Sequence, residues 1–458
     1  MKILLSGGAV VDGTGARTAD VLIAEEKILA VGEKITPGQA TGAEQIDVSG
    51  CLLFPGFIDA HTHFDLHVAG TVTADDFTTG TKAALCGGTT TVIDFATQYK
   101  GETLEEGLQN WHTKADGKAS CDYGFHLAIC DWNAVTNKEL ESIVDAGVTS
   151  FKLYMTYDTK VNDKEIFQIL RRLKQLGAIA GVHCENDGMI AALQQEKVEA
   201  GELTVASHPL TRPSIAEAEA VNRLLRLAQG AEAAVLVVHL TCAEGLKAIR
   251  EARKRGQKVY AETCPHYLLL TDDVYKLPFA QAAKYVCAPP LRKNEDQAAL
   301  WEALKQHEIQ TISTDHCSFT MAQRELGKND FRKIPGGLPG VEQRGVLMYS
   351  YGVVTGKITL GQMCRLLSEN PAKLYGLYPQ KGSLKVGADA DITVLRPGVS
   401  GVITAKNQSQ NVDYTPYEGF KTSCRVERVF LRGQEVVAKG KVIKDKQGRY
   451  CSRKKPNL

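Results

Sequence analysis

In the stretch FPGFIDAHTHFD, residues 54–65, His61 and His63 follow an apolar run with one residue between them. In an extended strand both rings point to one side and Thr62 to the other. Imidazoles so placed can share a metal ion, or simply bond solvent at a strand end. Four more residues of ligand type follow: Lys152 in SFKLYMTY, His183 in GVHCEN, His239 in VVHLT and Asp315 in STDHC. Singly, His183 or His239 reads as a satisfied core histidine and Asp315 as a helix or turn cap. Lys152 is harder to dismiss, because burying an unpaired ammonium is expensive. It either pairs with an acid such as Asp122 or Glu185, or reacts with carbon dioxide to give a carbamate whose two oxygens bridge two cations. The set then describes a binuclear site, with His61, His63, Lys152 and Asp315 on one ion and Lys152, His183 and His239 on the other. These ligands suit zinc, and also manganese or cobalt. Asp59 would orient a ligand histidine or bond backbone at the strand end.

Such residues converge only if the elements carrying them do. Eight apolar runs read as strands: FPGFIDAH, TTTVIDFAT, YGFHLAI, SFKLYMT, AIAGVHCE, AVLVVHLT, KVYAETCPHY and IQTISTDHC. Between them lie amphipathic segments such as TLEEGLQNWHTKA, KELESIVDAG, KEIFQILRRLKQLG, AEAEAVNRLLRLAQG, AEGLKAIREARKRG and DQAALWEALKQH. Continuous apolar strands fit a parallel sheet covered on both faces. Eight strand–helix units fit a TIM-like (β/α)8 barrel, an α/β fold whose strand C-termini surround one mouth. The candidate ligands all sit at or near such ends. Short strand-like runs before residue 52 and after Gly387 are each too small for a core, and together predict a small β-sandwich domain. The expected division is 1–52 and 376–440 for that domain, 53–375 for the barrel and 441–458 for a basic, soluble tail.

The 458 residues carry a formal net charge of +1, which gives no reason to expect a nucleic-acid partner. No apolar run reaches membrane-spanning length, and the start resembles no signal peptide. The 12 cysteines are scattered without CxxC pairs, which predicts free thiols in a reducing, cytoplasmic setting. Cys86, Cys121 and Cys130 read as small core residues. Cys184, Cys264 and Cys317 lie nearer the motifs, but no activating base is evident beside them.

GFIDAHTH, SFKLYMTY, GVHCEN, VVHLT and STDHCSF, with NVDYTPYEGF near residue 411, together resemble the dihydropyrimidinase and hydantoinase family of cyclic amidohydrolases, bacterial D-hydantoinases and phenylhydantoinases above all. The resemblance spans nearly the whole chain. It implies two zinc ions bridged by N6-carboxylysine at Lys152, hydrolytic ring opening of 5-substituted hydantoins or dihydropyrimidines to N-carbamoyl products, and a homotetramer or dimer. It implies that Tyr157 donates to the developing oxyanion, that Asp315 carries the proton, and that backbone near Ala288 and Gly336 grips the cyclic imide. Relatives often have Ser and Asn at those two positions. Leu66, Val68, Tyr154 and Val161 would line the wall facing the exocyclic substituent, and GTVTADDF would belong to a mouth loop. Dihydroorotases usually carry Arg two residues after HxH, where this chain has Asp65. Allantoinase is the nearer rival. A catalytically silent collapsin-response-mediator-like protein is disfavoured because all six ligands are present.

Overall fold

The computed structural model describes residues 2–456. Its centre is a run of parallel strands paired in sequence order: β1 (Phe57–Thr62), β2 (Thr89–Thr97), β3 (Asp122–Ala128), β4 (Ser150–Tyr154), β5 (Ile179–His183), β6 (Val235–Val237), β7 (Val259–Thr263) and β8 (Thr311–Ile312). The ring closes between its ends through a parallel bridge from Thr62 to His316, where His63 N–H donates to the His316 carbonyl at 2.8 Å. Nearer the base, the buried Arg344 guanidinium donates to both the Ile58 carbonyl of β1 and the Ile312 carbonyl of β8. The barrel of the sequence reading is therefore present, with every residue of β1, β2, β3 and β5 buried.

The outer helices follow the periodic segments. Leu104–Ala115, Asp163–Leu176, Ser214–Ala231, Ala243–Lys254 and Asn294–Lys305 lie where the apolar spacing predicts. Thr103 and Glu106 form a capping box that starts the first. Gly177 ends the second in the left-handed region, φ +70°, where a Cβ is costly. Besides several short turns of helix, two α-helices of ten or more residues were not anticipated. Phe77–Cys86 is capped by Asp76 of the ADDF stretch, so of the expected mouth-loop segment 70–77 only Thr71–Val72 lies in a hairpin, paired with His67–Val68 just before it. Asp187–Glu199 buries only Ile190 and so carries almost no apolar stripe to read.

Several predicted strands are shorter than their apolar runs. Gly56 divides the first: Leu52–Pro55 pairs with Ile392–Val402 in another sheet, and β1 starts at Phe57. Pro265 opens a helical turn, which stops β7 at Thr263. β6 and β8 end before His239 and Asp315, because those residues have φ of +37° and +50° and leave the extended region.

The terminal strands form two sheets, one of four and one of seven strands. Ile3, Val21 and Ile28 of the smaller meet Leu53, Ile392 and Phe430 of the larger in one buried cluster, the sandwich expected from the sequence. The stretch read as a soluble tail does not behave as one. Lys441–Val442 adds an edge strand, and Tyr450 bridges Tyr123 of β3. Arg453 is 4% exposed and donates to Ser150 Oγ and the Phe125 carbonyl at the barrel base. A long side chain can bury its stem there while satisfying its fork on backbone, which a count of charges does not foresee.

Candidate metal centre at the barrel mouth

β1 delivers His61 and His63 to the mouth, as strand alternation predicts. Their rings are 5.2 Å apart and pack on Phe95 of β2, at 4.5 Å and 5.0 Å. His239 lies 5.5 Å from His61, and His183 lies 4.6 Å from His239, centroid to centroid. Lys152 stands over Phe95 with Nζ 4.7 Å from the ring centre. Asp315 reaches in from beyond β8 with Oδ1 3.1 Å from Nε2 of both His61 and His63. All six predicted ligands therefore meet at one place. The left-handed backbone at His239 and Asp315 costs energy and turns those side chains inward.

Carboxylates behind the site fix the rings. Nδ1 of His61 donates to Oε1 of Glu262, at the end of β7, over 2.6 Å. Nε2 of His183 donates to Oε2 of Glu185 over 2.8 Å. Nε2 of His61 faces Asp315 Oδ1 at 3.1 Å, in contact but not angled as a hydrogen bond. Burial opposes a charge on this ring, but Asp315 and Glu262 raise its pKa, so either a proton on the imidazole or a metal ion between the two atoms satisfies the contact. Nδ1 of His63 is also buried without a partner. His61, His63 and Asp315 offer ligand atoms all within 4.8 Å of one another. These residues fit a divalent metal ion, with the outer carboxylates orienting the imidazoles as metal sites require.

The electrostatics agree. Burial opposes ionisation of Asp315, but His61 and His63 beside it hold its carboxyl well below the usual range. Burial and neighbouring cations push His239 well down, and burial brings His63 to about 4, so both rings are neutral donors. Burial lowers the Lys152 ammonium to about 8 against the pull of Asp315 and Glu262. Among the described residues no carboxylate lies within 4.0 Å of it. Asp122 is engaged by Lys381 and Arg432, and Glu185 by His183 and Arg212, so neither ion pair considered for Lys152 exists.

Asp59 accepts from the Thr314 N–H at 3.1 Å and its hydroxyl at 2.7 Å, and so fastens the backbone next to Asp315 rather than a ligand ring. On the other side, His316 Nε2 donates to Asp75, and its Nδ1 accepts from the Gly340 and Val341 N–H groups. Asp94 of β2 accepts from Thr62 Oγ1, Phe64 N–H and Trp111 Nε1, and burial raises it to about 6.

Around this centre, Tyr157 lies at the rim, 37% exposed, with φ +73° and its ring 5.1 Å from His183. Tyr154 is 6.0 Å from His183, and its carbonyl accepts from Val161 N–H. Val161 is buried, Leu66 half-buried, and Val68 exposed on the hairpin. The segments of Ala288 and Gly336 lie side by side. Gly337 N–H donates to the Val286 carbonyl, and Arg324 donates to the carbonyls of Val286, Pro335 and Gly337. A Cβ on Gly336 would meet Cys287 Cα at an ordinary 4.0 Å. The loop demands glycine at 337 instead, where a Cβ would strike the Cys317 carbonyl at 2.5 Å. Sequence reasoning missed Glu262, Arg212 and His316. Glu262 had a signal: a lone acid in the apolar run KVYAETC, on a strand to which no ligand was given.

The amidohydrolase family profile matches residues 52–436. A D-hydantoinase of Geobacillus stearothermophilus is 43% identical over 460 residues, covering 99% of this chain and 97% of that protein. A D-phenylhydantoinase of Escherichia coli is 42% identical over 458 residues, covering 99% and 98%. The crystal structure of a dihydropyrimidinase from Brevibacillus agri superposes with a TM-score of 0.98 at 43% identity, covering 100% of both chains. With the ligand cluster at the mouth of an eight-stranded barrel and agreement over its whole length, this chain belongs to the amidohydrolase family, in its hydantoinase and dihydropyrimidinase branch.

Proposed function

We propose that the protein opens cyclic amide rings by hydrolysis, converting 5-substituted hydantoins or dihydropyrimidines to N-carbamoyl amino acids. The observation that carries the reading is the cluster of His61, His63 and Asp315, whose ligand atoms lie within 4.8 Å of one another, beside His239, His183 and Lys152. The preferred metal complement is two zinc ions, with manganese or cobalt as substitutes and Lys152 carboxylated between them. Burial of that amine without an acidic partner favours a carbamate there. When bound, the ions would polarise the substrate carbonyl and lower the pKa of water.

The chain's own groups supply the rest. Tyr157 donates from the rim to the oxygen that gains charge as the amide is attacked, a contact strongest in the transition state. Both histidines of β1 face Oδ1 of Asp315, which leaves Oδ2 to take the proton of the attacking water and return it to the departing ring nitrogen. Backbone groups at Ala288 and Gly336 hold the imide edge. Leu66, Val68, Tyr154 and Val161 give the exocyclic group an apolar wall, which discriminates size only modestly. The D-hydantoinase relationship supports preference for the D enantiomer. The 12 free thiols support a reducing cytoplasmic location, and no helix among the described residues is long and apolar enough to cross a membrane. A homotetramer, or a dimer, is the assembly expected, and sedimentation velocity measures it directly.

The test is steady-state ring opening by zinc-loaded protein on dihydrouracil, both enantiomers of 5-phenylhydantoin, and allantoin. Preference for the D-phenyl compound supports the hydantoinase reading, and preference for dihydrouracil makes this a pyrimidine-degrading enzyme. Preference for allantoin overturns the substrate assignment, and no turnover overturns catalysis itself.

A further inference from the structure

The turn at 207–213 carries none of the predicted site residues, yet through Arg212 it touches Tyr157 and, by way of Glu185, reaches His183. This side chain is 8% exposed. Its Nη1 donates to Oε2 of Glu185, the oxygen that also accepts from His183 Nε2. Its guanidinium carbon lies 5.3 Å from the ring centre of Tyr157. One guanidinium thus donates to a carboxylate through Nη1 while lying over the face of an aromatic ring, a pair of contacts that the shorter reach of a compact ammonium does not reproduce.

Glu185 is fully buried, and its other oxygen has no hydrogen-bond partner. Burial pushes this carboxyl up, but Arg212 and His183 bring it down to about 2. Without Arg212 it would be an uncompensated charge behind His183. Among the described residues the Tyr157 hydroxyl has no hydrogen-bond partner, and its ring lies against Arg212, His183 and, 6.2 Å away, Tyr154. Arg212 is itself anchored. A second buried arginine, Arg292, donates from Nη1 to the Arg212 carbonyl while its Nη2 pairs with Glu217 at 2.9 Å and its Nε with Thr241 Oγ1 at 2.9 Å.

We infer that Arg212 is a positioning residue that aligns the oxyanion donor Tyr157 with the His183 ligand, holding His183 through Glu185 and the Tyr157 ring through the guanidinium that lies over it. The inference rests on the roles proposed above for Tyr157 and His183, and it assigns a function to a turn outside all the motifs.

Two variants separate the arms. Arg212→Lys keeps a charge for Glu185 but removes the guanidinium that lies over the Tyr157 ring, and Arg212→Met removes both. The expected result for Arg212→Lys is a kcat roughly 10- to 100-fold lower, with KM and metal affinity within about 3-fold of the parent. Arg212→Met should lose kcat and also weaken one metal equivalent by about 10- to 100-fold in a chelator competition. In a Tyr157→Phe background, Arg212→Lys should cost about 3-fold or less, because the ring it aligns no longer donates. Parental kcat in Arg212→Lys, or an equal loss in both backgrounds, overturns the inference. If Tyr157→Phe alone turns over at the parental rate, the oxyanion reading has failed. The metal titration of Arg212→Met then decides the Glu185 arm, which unchanged affinity overturns.

Discussion

Nδ1 of His61 stands 2.6 Å from Oε1 of Glu262, 201 residues further along the chain. The contact orients a ring whose other nitrogen faces Oδ1 of Asp315. Glu262→Gln keeps the shape but removes the charge. Metal affinity should fall by about 10- to 100-fold, read by competition with a chelator. Undiminished affinity would show that strand geometry alone orients His61.

Lys152→Ala removes the only group proposed to span both ions. Metal content by elemental analysis should drop from two equivalents to one or none, with loss of ring-opening activity. Unchanged content and turnover would eliminate the bridge.

Tyr157→Phe deletes one hydroxyl at the rim and nothing in the ligand cluster. Its kcat should fall by about 100-fold, while metal content and the melting temperature stay at parental values. A parental kcat would assign the oxyanion contact elsewhere.

His208 gives a pH dependence away from the ligands. It is buried, its Nε2 donates to the Cys287 carbonyl at 2.8 Å, and burial with nearby Arg212 lowers it from 6.5 to about 4. Above 6.5 it is neutral in both folded and unfolded chains, so its environment carries no proton penalty. As pH falls from 6.5 towards 4 the unfolded chain takes the proton first, and folding stability is lost at up to roughly 1.4 kcal/mol per pH unit. His208→Gln can still donate but cannot titrate, so its urea midpoint should depend less on pH across that window. An identical pH profile would exclude His208 as the source.

Arg453→Met leaves Ser150 Oγ and the Phe125 carbonyl without this donor at the barrel base. The expected cost is about 1–3 kcal/mol in urea unfolding, with KM unchanged because the site lies at the opposite end. A stability equal to the parent would mean that water replaces the guanidinium at no cost.

What could be read from the sequence follows the physics of each position. His61, His63, Lys152 and His183 are polar groups in apolar runs, and strand alternation says where they point. His239 and Asp315 were readable as ligands, but not the left-handed backbone that ends their strands early, since no pattern of side chains encodes that φ. Arg212 was invisible for a related reason. It sits in the turn HPLTRP, which has neither period nor ligand spacing, and its meaning lies wholly in contacts made across the fold. Arg453 misled in the opposite direction, because a cluster of basic residues suggests solvation while one long side chain can still be buried. Leu53–Pro55 were read with the barrel because the apolar run continues across Gly56, where the chain passes from one sheet to the other.

The join between β1 and β8 is the latch of the ring. Along it lie the Thr62–His316 bridge, the Asp59–Thr314 bonds, the Arg344 fork and, at the rim, His61, His63 and Asp315. A metal ion held by those ligands would tie β1 to β8 at the rim, and its loss would remove that tie from the same latch. Occupancy of the site and integrity of the circumference are thus one equilibrium. Stripping the metal should speed amide exchange first along 57–63 and 311–317, while the opposite wall of β4 and β5 stays shut.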